Sequence, residues 1–127
     1  LALAESRYFT EKKEYGKALE ALRDLENSYQ KFFEAGNIFM ELGLYPEAEE
    51  QFEAAEKFHP AGYDRNLIYG LFFSKYYGGK QQEAREFAQR VEDLGYEPFI
   101  MPLKLKILED ACKKILKDRK PDQLLEE

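Results

Sequence analysis

The stretch YPEAEEQFEAAEKFHP at residues 45–60 sets Ala48, Phe52 and Ala55 at spacings of four and three. That is the period of one face of a helix. Glu47, Glu50 and Glu53 fall off this face. Pro46 stands in the first turn, where a missing N–H costs no hydrogen bond, and Pro60 ends the run. The spacing predicts a helix over 46–58. Its stripe is narrow: methyls at Ala48 and Ala55 let a neighbouring backbone come close, and Phe52 fills the gap beside them. Thirty residues earlier, Tyr15, Ala18, Leu22 and Leu25 take the places of Tyr45, Ala48, Phe52 and Ala55. Thirty-six residues later, Ala84, Ala88 and Val91 fall in the corresponding places. Three related helices at such spacings mark a chain of stacked helical repeats.

Another helix precedes each of these. Over residues 29–43 the stripe is Phe32, Ala35, Gly36 and Phe39, and Gly43 closes the helix. Glycine in mid-helix costs up to ~1 kcal/mol against alanine, a cost tolerated where two backbones must approach closely. The third unit repeats the design with Asn66, Tyr69, Gly70 and Phe73, then a turn at Gly78 and Gly79. Two extra residues before Ala84 predict a longer first helix or a wider turn in that unit. The first unit places Ala2, Ser6 and Phe9 before Tyr15.

Phe32-x2-Ala35-Gly36-x2-Phe39, followed by Ala48-x3-Phe52 and Pro60, resembles the tetratricopeptide repeat (TPR), whose pattern is W-x2-L-G-x2-Y, then A-x3-F, then P. The resemblance covers residues 1–96, in units of about 1–28, 29–62 and 63–96. The first unit departs by a short second helix and lacks the closing proline. The resemblance implies an all-α fold, a right-handed superhelical stack of about three TPR-like helix-turn-helix repeats with a C-terminal capping helix. Residues 97–118 supply that helix, starting near Pro102, with an apolar face of Ile100, Leu103, Ile107, Leu108, Ala111, Cys112 and Ile115. The alternative is the first helix of a further repeat. Residues 119–127 are expected to form a polar tail.

The resemblance also implies a concave groove lined by one side of each first helix. In the middle unit that side carries Gln30, Phe33, Asn37, Met40 and Glu41. The third unit offers Asp64, Leu67, Leu71 and Lys75, and the first offers Leu3, Arg7 and Thr10. Phe33, Met40, Leu67 and Leu71 are expected to form an apolar strip, the kind of exposed surface that marks a contact. Asn37 matches a position at which some family members hold a peptide carboxylate. Leu3, Asp64 and Ile68 stand where that mode needs basic residues, so an amphipathic helix or apolar segment of another protein suits the groove better. The competing reading has the same residues covered by the terminal helix or by a further repeat.

The rest of the composition narrows the chemistry. The chain has 127 residues, enough for one domain, with 44% hydrophobic, 35% charged and 15% aromatic residues. A net charge of −6 argues against a nucleic-acid partner, which calls for a basic face. No run of about 18 apolar residues exists to span a membrane. Cys112 is the one cysteine, so no internal disulfide forms, and its helical position predicts a buried thiol. Glu56 and His59 have the Glu-x-x-His spacing of di-metal helix bundles, but His59 has no second histidine to complete a ligand set. Gly78-Gly79-Lys80 lacks the remaining parts of a phosphate loop. The expectation is a protein-binding scaffold and not an enzyme, with no cofactor and no metal. Self-assembly as a homo-oligomer, or service as a regulatory domain in a longer protein, is the alternative. A cytoplasmic location is favoured. Reading LALAES as the close of a signal peptide with an A-x-A site at Ala2 to Ala4 would instead place the chain outside the cytoplasm.

Overall fold

A computed structural model describes residues 2–59, 63–96, 98 and 100–118. Among the described residues there are seven α-helices and no strand: α1 (Ala2–Glu11), α2 (Tyr15–Arg23), α3 (Tyr29–Glu41), α4 (Tyr45–Lys57), α5 (Arg65–Tyr77), α6 (Gln81–Asp93) and α7 (Met101–Asp118). The expected stop at Pro60 and the expected tail at 119–127 lie outside the described residues.

Local chemistry sets the helix ends. The Ser28 hydroxyl accepts from the Lys31 N–H at 3.2 Å and starts α3, and the Asp64 carboxylate accepts from the Leu67 N–H at 2.7 Å and starts α5. Pro46 lies in the first turn of α4. Three short turns, at 12–14, 42–44 and 78–80, join α1 to α2, α3 to α4 and α5 to α6. Each has a left-handed residue at its centre: Lys13 (φ 61°), Gly43 (φ 74°) and Gly79 (φ 88°). Each also has an N–H reaching back five residues, from Glu14 to Phe9, Leu44 to Phe39 and Lys80 to Lys75, at 2.8, 2.9 and 2.9 Å. This closure satisfies carbonyls that a helix end leaves free.

These turns correct the expectation for the third unit. Helices α3 and α5 have the same length, 13 residues, and their following turns match. The extra residues lie between α4 and α5 instead. Position by position, α5 is therefore offset from α3 by thirty-six residues, as Gly79 is from Gly43. Aligning Gly70 with Gly36 implied thirty-four. Two residues turn a helix by about 200°, so the faces of α5 are exchanged.

Packing shows why the glycines misled. A Cβ on Gly36 would come within 2.7 Å of the Phe52 ring, and one on Gly70 within 2.8 Å of the same ring. Gly70 thus receives a side chain of the preceding helix pair. Within its own pair the place of Gly36 belongs to Phe72, fully buried, and the place of Phe52 belongs to Ala88. Small and large residues have changed sides, which conserves volume at the contact.

Each helix packs chiefly on its neighbours in sequence through α6, and α2 touches α3 far less than α3 touches α4. The larger core includes Phe52, Leu67, Ile68, Leu71, Phe72, Phe87, Val91, Ile100 and Leu103. Burial of a large apolar side chain contributes about 1.5–3 kcal/mol relative to leaving it exposed. A smaller cluster of Ala18, Leu22, Ala35 and Ile38 ties α2 to α3, with Leu3, Phe9 and Tyr15 against it.

Helix α7 departs from the sequence reading. It turns Leu103 fully inward and Ile107 partly so, while Leu108, Ala111, Cys112 and Ile115 are exposed. The Cys112 thiol is therefore not buried. Nine residues separate Leu103 from Cys112, which places them about 180° apart on the helix.

Candidate functional site

Helices α3 and α5 run as the first members of successive pairs, and Phe52 of α4 reaches between them. Their remaining gap is a cleft of about 430 Å³. Phe33, Asn37 and Met40 line it from α3, Asn66, Tyr69, Gly70 and Phe73 line it from α5, and Phe52 forms its floor. Aromatic contacts fix the walls. Phe33 meets Phe52 edge to face at 5.7 Å and stacks on Tyr29 at 5.5 Å. Phe73 meets Tyr69 at 6.3 Å and stacks on Tyr77 at 5.6 Å. Rings held this way lose little freedom on binding, which favours a preformed apolar site.

Of the sequence-predicted groove residues, Phe33, Asn37 and Met40 line the cleft. Gln30 is exposed on α3 but is not one of its lining residues. Leu67 and Leu71 are corrected: both are buried in the main core, at 0% and 1% exposure, because of the two-residue offset of α5. Tyr69 and Phe73, with Asn66, hold the lining positions expected of Leu67 and Leu71, although the sequence pattern puts all three on the packing stripe. Spacing from the Gly43 and Gly79 turns, rather than from the mid-helix glycines, identifies all three.

The charged candidates are held by their own chain. Asp64 caps α5, accepts from the Tyr29 hydroxyl at 2.9 Å and lies 3.3 Å from His59 Nε2. Burial pushes its carboxyl up, but the bonds from Leu67 and Tyr29 and the adjacent His59 hold it below the usual carboxylate range. Burial and the same Asp64 raise the Tyr29 phenol. Lys75 lies on the far side of α5, bonded to Glu49 at 2.6 Å and 3.7 Å from Glu53. Arg7 pairs with Glu34 of α3 at 3.1 Å, and Leu3 packs on the smaller core. None of these four lines the cleft, whose lining among the described residues carries no Lys or Arg.

A second cleft of about 340 Å³ is lined by Glu49, Glu53, Lys75, Lys80, Glu83, Glu86, Phe87 and Arg90. Glu49 is its centre, 5% exposed, accepting from Lys75 and from Lys80 at 3.0 Å. Burial raises the Glu49 carboxyl, and the two lysine bonds outweigh it and lower the net value. These charges answer one another across α4, α5 and the following turn. Among the described residues no group of three or more His, Cys, Asp or Glu is placed to hold a metal ion, and no helix is long and apolar enough to cross a membrane. No family model, curated protein or solved structure matches the chain.

Proposed function

We propose that the chain is a TPR-like stack of helix pairs whose α3–α5 cleft holds an apolar or aromatic segment of another protein, without catalysis. The observation that carries this reading is the lining: Phe33, Met40, Tyr69 and Phe73 over Phe52, with Asn37 and Asn66 exposed beside them. Apolar walls reward burial of a partner's side chain. Each asparagine amide offers donors and an acceptor, as a peptide backbone does. With no cation in the lining, a terminal carboxylate finds no counter-charge there, so an internal apolar segment fits better than a chain end. The matching turns and the thirty-six-residue offset of α3–α4 to α5–α6 support the repeat reading.

The test is selection of peptides from a displayed random library on the whole chain. Binders enriched in aromatic and aliphatic residues are expected. Phe73→Ala and Met40→Ala should each weaken them at least ~10-fold, as anchor contacts do, with the helical circular dichroism unchanged. Glu50→Ala, on an exposed part of α4, should leave them unaffected. Peptides that bind all three variants equally would remove the cleft from the function. Leu71→Ala is no probe of this site, since Leu71 is core.

A further inference from the structure

Helix α7 has two opposite faces. The inner one holds Leu103 and Ile107 against the core, Asp110 accepting from the Tyr76 hydroxyl at 2.7 Å, and Lys106 6.0 Å from the Tyr77 ring centre. The outer one carries Met101, Leu105, Leu108, Cys112 and Ile115, at successive spacings of four, three, four and three. That alternation, over two heptads, is the spacing an a/d seam of a coiled coil uses, and the five residues fall within an arc of about 80°. All five are exposed, the four larger ones at 56–60%. From Ala111 to Asp118 every residue of the helix is exposed. Two helical turns without packing are not stable in water by themselves.

A second helix of a further repeat is a poor cover for this face. Where α3 carries Phe32, in ring contact with Phe58 at the end of α4, and α5 carries buried Ile68, α7 carries Lys104. Lys104 is bound to Glu92 of α6 at 2.7 Å.

The charges beside the seam fit a copy of α7 itself. Lys104, still 51% exposed beside Glu92, lies on one flank, and Glu109, five residues on and 55% exposed at 2.8 Å from Lys113, lies on the other. In a parallel two-stranded pair these flanking positions of the two chains meet at that separation, so each Lys104 faces the Glu109 of the other chain. In an antiparallel pair centred on Leu108, Glu109 would instead face Glu109. The inner face points away from the seam, so the two bodies sit on opposite outer sides. We infer that α7 is a dimerisation helix, pairing in parallel with α7 of a second copy through Met101, Leu105, Leu108, Cys112 and Ile115.

Parallel pairing sets Cys112 beside its own copy, within reach of a disulfide. In the antiparallel arrangement the two Cα atoms would be about 12 Å apart along the axis, too far to bridge. The experiment combines sedimentation equilibrium of the whole chain with oxidation by diamide, which takes two electrons and two protons from a pair of thiols and is itself reduced to the hydrazine. The expected result is a concentration-dependent dimer, trapped by diamide as a covalent dimer that dithiothreitol splits. Leu108→Glu, at an exposed position, should raise the dissociation constant at least ~10-fold and abolish the cross-link, with circular dichroism and peptide binding at the α3–α5 cleft unchanged. A monomer at all concentrations, or a dimer indifferent to Leu108→Glu, overturns the inference. A dimer that Leu108→Glu breaks but diamide does not trap overturns the parallel arrangement.

Discussion

Phe52 meets two backbones along one edge of its ring, Gly36 of α3 and Gly70 of α5. Alanine at either glycine would gain up to ~1 kcal/mol of helix propensity. It would also drive a methyl to within 2.7–2.8 Å of ring carbons. The ring is fully buried and Phe33 crowds it at 5.7 Å, which leaves it little room to turn away. Overpacking of this kind costs about 1–3 kcal/mol, so the steric cost wins. Gly36→Ala and Gly70→Ala should each lower the thermal midpoint by about 4 °C or more, as read by circular dichroism. A rise in either midpoint would mean that the ring has room to move. The same glycines mark the limit of what the sequence discloses at this scale. A mid-helix glycine announces that something lies close, but not which helix supplies it. Reading Gly36 and Gly70 as equivalents therefore puts the side of α5 bearing Leu67 and Leu71 in the groove, where the structure buries it. Phe33, Asn37 and Met40 of α3 were legible because α3 and α4 carry a complete repeat pattern with no offset between them.

At the scale of elements, Glu49 ties α4 to α5 and to the turn that follows, through Lys75 and Lys80. Glu49→Gln leaves the half-buried Lys75 ammonium with Glu53 alone, at 3.7 Å. The expected loss is about 1–3 kcal/mol at neutral pH, measured by urea unfolding. The pH dependence has a fixed sign. The folded carboxyl of Glu49 is lowered from 4.5, so its contribution is present above that value and is lost as pH falls through the folded one. Glu53 acts in reverse: burial and the adjacent Glu49 raise its carboxyl, and its protonation on acidification relieves strain. The native protein should therefore lose more stability than Glu49→Gln once pH falls below about 4.5. Equal acid sensitivity of the two would remove Glu49 from the joint. This network was not legible in the sequence, where Glu47 to Glu50 reads as one charged run and Glu49 is not distinguishable from its neighbours. The helices themselves were legible, because they carry an apolar period and because glycine turns close α3 and α5. The length of the α4–α5 connection carries no such period, and that length decides which face of α5 points where.

For the whole molecule, packing strength is uneven along the chain. The α1–α2 pair joins the rest through a cluster whose four buried residues include two alanines, whereas α4 to α6 share a core with Phe52, Phe72 and Phe87. Its turn holds Lys13 in a left-handed conformation, which costs a non-glycine residue roughly 1–2 kcal/mol. Stability in a chain of stacked pairs is close to a sum over neighbours, so a weak joint lets one end open alone. Amides of α1 and α2 should exchange with deuterium at least ~10-fold faster than those of α4 and α5, a difference of about 1.4 kcal/mol in opening free energy. Lys13→Gly should narrow the gap by relieving the turn, with no change in α5. Equal protection from α1 to α6 would instead show a single cooperative unit, in which the larger core sets the stability of every helix. The α3–α5 cleft lies on the strongly packed side of this division. For the binding role proposed for that cleft, this means that its walls should stay in place while α1 and α2 open.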